Sequence, residues 1–110
     1  MKGEYLGELE ELVLLTVASM HVDTYGVAIM NEIAEQSGRE VNIGALHSVL
    51  NRLEAKGYLK SKMGGATAER GGRRKRYFTI TSPGRKLAEQ IISEKIQLYQ
   101  RVLGTTIKIS

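Results

Sequence analysis

One short helix with a fixed end constrains this chain more than any other feature. Leu46, Val49, Leu50 and Leu53 fall at i, i+3, i+4 and i+7, a single compact apolar face. Gly57-Tyr58 follows where that helix has to stop. Glycine enters the left-handed conformation beyond a helix at no steric cost, and the apolar residue after it folds back onto the last turn, here Tyr58 onto Leu53. At the other end Asn42 offers an N-cap oxygen. The face opposite the leucines carries Gly44, Ser48, Asn51 and Ala55, flanked by His47 and Arg52. It is small and polar, and taken alone it reads as an ordinary solvated surface; its neighbours decide what it means.

Two helices precede it. Leu6, Leu9, Leu12, Val13, Thr16, Val17 and Met20 recur at three- and four-residue steps, a first helix from Leu6 to Met20. Asp23 or Thr24 then offers a cap for a second, with Val27, Met30, Ile33 and Ala34 as its apolar stripe and Gly38 as its stop. Beyond Gly57 the period changes to two. Leu59, Ser61 and Met63 alternate with Lys60 and Lys62, and Arg76, Phe78 and Ile80 with Tyr77 and Thr79, around a glycine-rich tip from Gly64 to Gly72. This predicts a two-stranded hairpin. Ser82 as N-cap and Pro83 as first helical residue then open a last helix from about Gly84 to Leu103.

A chain of 110 residues supports a single domain with a modest core. The order of elements predicts a mainly α fold with a small β-hairpin: a winged helix-turn-helix DNA-binding domain over residues 1–81, and a C-terminal dimerisation helix and tail over 82–110, together one structural unit. In that plan the third helix enters the major groove and the hairpin, or wing, lies along the backbone.

Charge supplies the missing context. Residues 1–40 hold two basic and eight acidic groups, net −6, whereas residues 41–110 hold fourteen basic and four acidic, net +10. Lys60, Lys62, Arg70, Arg73, Arg74, Lys75 and Arg76 crowd into seventeen residues opposed by Glu69 alone. Basic groups so concentrated beside a small polar helix face point to double-stranded DNA, whose counterions they would release. Asn42, Gly44, His47, Ser48, Asn51 and Arg52 on the helix are the candidate contacts, joined by Lys62, Arg70, Arg73, Arg74 and Lys75 on the wing. Ser48 is suited to donate or accept, Asn51 to hold adenine through paired hydrogen bonds, and Arg52 to reach guanine or phosphate. The wing arginines are suited to phosphate or minor-groove contact, which positions more than it specifies.

Other functions find little support. There is no cysteine, and no stretch of membrane-spanning length. Glu4, Glu8, Glu10 and Glu11 stand where a secretion signal would place cations, so a cytoplasmic location with no membrane partner is expected. His21 and His47 are far apart, no metal-ligand spacing is present, and no phosphate-binding glycine loop follows a strand. No catalytic residue, cofactor or metal is therefore expected. A winged helix serving as a protein-interaction module without DNA is the alternative reading.

The last helix bears two overlapping stripes, Leu87, Ile91, Leu98 and Val102 beside Ala88, Ile92, Ile96, Tyr99 and Leu103. One domain of this size cannot cover both, so a homodimer is expected. Its interface is assigned to Leu87, Ile91, Ile92, Leu98, Tyr99 and Val102, with Leu6 and Leu9 from the first helix.

Three segments resemble the PadR family of transcriptional regulators, in particular its short subfamily with one C-terminal dimerisation helix. They are Tyr25-Gly26 after the leucine-rich opening, Gly44 to Glu54 with Gly57-Tyr58-Leu59, and Arg74-Lys75-Arg76-Tyr77-Phe78-Thr79-Ile80-Thr81-Ser82-Pro83-Gly84-Arg85. The resemblance covers roughly residues 2–103. It implies a repressor released by a small molecule, often aromatic; a pocket of Met, Leu, Ile and Tyr99 would suit an apolar one, and two-fold symmetry of the dimer would favour an inverted-repeat operator. The family usually has Tyr where this chain has His47, and the absence of Trp removes the aromatic plates by which some members stack their ligands.

Overall fold

The computed structural model describes residues 6–64 and 75–104. Four helices and three strands follow in the order α1 (Glu8–Met20), β1 (Thr24–Tyr25), α2 (Gly26–Ser37), α3 (Ile43–Ala55), β2 (Leu59–Met63), β3 (Arg76–Ile80) and α4 (Ser82–Leu103). The fold is mainly helical with a small antiparallel sheet, as the sequence predicts.

The core forms where the apolar stripes converge. Val13, Leu14 and Val17 of α1, Ile29 and Ile33 of α2, and Leu46, Val49, Leu50 and Leu53 of α3 are buried together. Leu59 and Phe78 close this core from the sheet and Ala88 from α4. Glu8, Glu10 and Glu11 sit in the first turn of α1, where the helix dipole favours negative charge. Helix α1 ends on His21, which takes the left-handed conformation at φ 59°.

Both ends of α3 form as their residues dictate. The Asn42 Oδ1 accepts from the Ala45 amide at 3.1 Å. Gly57 has φ 87°, its amide donates to the Glu54 carbonyl at 3.0 Å, and the Tyr58 amide donates to the Leu53 carbonyl at 2.9 Å. This is the doubly bonded Schellman arrangement. Helix α4 starts on the same turn. The Thr81 hydroxyl donates to the Gly57 carbonyl at 2.6 Å, the Thr81 amide to the Tyr58 carbonyl at 3.1 Å, and Gly84 packs so closely that a Cβ there would lie 2.1 Å from the Tyr58 oxygen.

Several expectations change. The wing is a three-stranded sheet of order β1-β3-β2, because Thr24, expected with Asp23 as a candidate cap, joins Tyr25 in pairing with Phe78 and Tyr77. Tyr25 is consequently the N-cap residue of α2. The cap of α4 is Thr81, whose Oγ1 accepts from the Gly84 amide at 3.0 Å, so Ser82 is already helical. Helix α1 begins at Glu8, two residues later than the apolar pattern suggested. Leu6, Leu9, Leu87 and Ile91, assigned from sequence to a dimer interface, are partly buried against this chain's own core and keep part of their surface open. Within α4 the exposed large apolar side chains are Ile92, Leu98, Tyr99, Val102 and Leu103.

Candidate nucleic-acid interface

Burying Leu46, Val49, Leu50 and Leu53 leaves the opposite side of α3 facing outward. Gly44, Ala45, His47, Ser48, Asn51 and Arg52 are all exposed there, and no acidic residue occurs between Ile43 and Leu53. Gly44 keeps the N-terminal turn slim, since a Cβ at that position would lie 3.0 Å from the Asn42 Oδ1. The imidazole of His47 rests against the start of α2: a Cβ on Gly26 would lie 3.1 Å from its Cε1 and 3.2 Å from its Nε2.

Helix α3 is held from both sides by ion pairs. Glu10 of α1, nearly buried, accepts from the Arg52 Nε at 2.7 Å and the Lys56 Nζ at 3.2 Å. The Arg52 guanidinium holds the Glu10 carboxyl below its ordinary value against the upward push of burial, helped by the Gly7 amide and Lys56. On the wing side Glu54 accepts from the Ser61 hydroxyl at 2.8 Å and pairs with Arg76. Its carboxyl is lowered chiefly by the Ser61 hydroxyl and then by Arg76, again against burial. Arg76 also donates to the Asn51 Oδ1 at 2.9 Å and lies 4.9 Å from the Phe78 ring centre. These contacts tie both strands of the hairpin to the helix.

The predicted contacts fall into groups. Gly44, His47, Ser48 and Asn51 share the exposed face of α3, with Asn51 already bonded to Arg76. Arg52, its side chain 54% exposed, is bonded to Glu10. Asn42 spends its side-chain oxygen on the cap. Lys62 pairs with Asp23 at 3.6 Å, and Lys75 sits 4.8 Å from the Tyr25 ring centre, which meets Tyr77 edge to face at 5.7 Å. Arg70, Arg73 and Arg74 lie outside the described residues. Sequence reasoning missed Glu10 and Arg76 as the groups that fix α3. Their signal was faint: an acidic residue on the inward side of α1, and an arginine on the strand face shared with Phe78 and Ile80.

Among the described residues there is no cluster of His, Cys, Asp and Glu able to hold a metal, and no helix long and apolar enough to cross a membrane. Three helices, a three-stranded wing and a long last helix define a winged helix-turn-helix of the DNA-binding class. Comparison with known proteins makes this specific. The profile of the transcriptional regulator PadR-like family matches residues 14–90, and the chain belongs to that family. No curated protein matches it. A transcriptional regulator from Clostridium thermocellum is 26% identical, with a TM-score of 0.68 over 91% of this chain and 93% of its own. A PadR family regulator from Eggerthella lenta shares the fold at 24% identity, with a TM-score of 0.69 over 86% and 82% of the two chains. A PadR-like regulator from Bacillus cereus does so at 18%, with a TM-score of 0.70 over 87% and 88%. DNA-binding regulation of transcription follows from the family.

Proposed function

We propose that the chain represses transcription by binding an inverted-repeat operator as a homodimer. The observation that carries this reading is the outward face of α3, where Gly44, His47, Ser48 and Asn51 are exposed together and no acidic residue occurs between Ile43 and Leu53. Small residues let the backbone approach the groove floor, and Ser48 and Asn51 read base edges there. Arg52, half-exposed beside Glu10, takes phosphate at the edge. Lys62, Lys75, Arg70, Arg73 and Arg74 follow the backbone and position the helix.

The exposed Ile92, Leu98, Tyr99 and Val102 of α4 support pairing with a second copy, since a row of apolar side chains on one helix is costly in water. A two-fold dimer sets its recognition helices about 34–36 Å apart, one turn of B-DNA. Family membership supports a small apolar or aromatic effector, which we assign to the space such paired helices enclose. Selection of bound sites from a random DNA pool tests the reading. An inverted repeat with half-site centres one turn apart is the expected outcome. A chain that retains no DNA even at low salt would be a protein-interaction module instead.

A further inference from the structure

Exposed large apolar side chains occur at the far end of α4 and at four other described positions: Val22, Val27, Ile43 and Met63. Ile43 stands on the candidate DNA-facing helix α3, and Val27 in the first turn of α2, the turn against which His47 rests. Ile43 is the first residue of α3 and lies one helical turn before His47, on the same face. Its Cδ1 lies 3.6 Å from where a Gly26 Cβ would be, the spot His47 also covers, and Val27 follows Gly26 directly in the first turn of α2. Val27 is 49% exposed and Ile43 38%, amid residues that are otherwise small or polar.

We infer that Ile43 and Val27 are specificity residues that read thymine by packing on its 5-methyl group. The N-terminal residues of a recognition helix are the ones that reach base edges, and the thymine methyl is the apolar feature of the major groove. Charged phosphate oxygens give branched aliphatic side chains nothing in return. Glycine at 26 adds to the case: by lacking a Cβ it lets the His47 ring and Ile43 close on the start of α2, the turn that also carries the exposed Val27. This assignment rests on the operator-binding reading above and names the bases it would select.

The test uses the full chain and the operator recovered from the random pool, with each thymine replaced in turn by deoxyuridine, which lacks only the methyl. The expected result is a loss of about three- to fivefold in affinity at one or two thymines per half-site. In Ile43→Ala or Val27→Ala the same uracil substitution should cost nothing further at the matching position. Ile43→Thr, which retains the branched Cβ, guards against a folding artefact, and low-salt binding to random DNA reports that each variant is folded. Uracil tolerated at every position, or a uracil penalty undiminished in both alanine variants, overturns the thymine assignment and leaves operator binding standing. Failure to bind any DNA overturns the operator-binding reading itself, and this assignment with it.

Discussion

Single residues carry the tightest constraints, and the least visible of them in the sequence is Gly84. Nothing in Ser82-Pro83-Gly84-Arg85 reveals that the glycine meets the Tyr58 carbonyl, because the contact joins the start of α4 to the end of α3 across the fold. An added methyl there must displace backbone, so Gly84→Ala should cost roughly 1–3 kcal/mol or more, read as a lower midpoint in urea with the slope unchanged. Gly57 and Asn42 were legible because helix ends are local chemistry: a left-handed residue after the helix and an oxygen before it. The Thr81 cap was missed by one residue because Ser is the somewhat better cap and sits beside it, before Pro83. Thr24 makes the opposite case. Its hydroxyl is buried, and no hydrogen-bond partner meets it. Thr24→Val keeps the branched shape, removes the orphaned group and should raise stability by about 1 kcal/mol, measured by the same denaturation.

Among the elements, α3 matters most because it is gripped on both sides by ion pairs to other elements, its Arg52 by Glu10 of α1 and its Glu54 by Arg76 of β3. The Glu10–Arg52 and Glu54–Arg76 pairs span 42 and 22 residues of sequence, which is why no local pattern announced them. Both carboxyls have folded-state pKa values below the ordinary 4.5. Their contribution is therefore fully present above about that pH and is lost as pH falls through the lowered values, when the folded state must take up protons it resists. Stability should thus be flat from pH 7 to 5 and fall steeply below 4.5. Glu10→Gln should cost about 1–3 kcal/mol at pH 7 and less at pH 3, where the wild-type carboxyl is itself being neutralised. Thermal melts of both proteins across that range check it, and parallel curves would remove Glu10 from the account. The same scale explains the missed strand. Two residues are too few to show a period of two, so Thr24 resembled a helix cap, although it and Tyr25 pair with β3.

For the whole molecule, charge is legible from sequence because a sum needs no fold, whereas the reach of α4 is not. Its two stripes were visible, but which residues the body would claim depends on where the helix leaves it. The structure draws that line after Ile91: Leu87 and Ile91 pack inward, and Leu98, Tyr99 and Val102 remain in water. Those outer residues can be changed without touching the core. Leu98→Glu with Val102→Glu should therefore leave the unfolding transition nearly intact while introducing four unpaired carboxylates into a two-fold interface. If α4 joins two copies, sedimentation at micromolar concentration should pass from dimer to monomer. Losing the link between half-sites should weaken operator binding by about 100-fold or more, because the second recognition helix no longer binds as part of the same molecule. Binding to a single half-site should stay unchanged, since α3 and the wing are untouched. A double variant that still sediments as a dimer would place the interface elsewhere, whereas a monomer that keeps full operator affinity would show that pairing is not what holds the protein on its site.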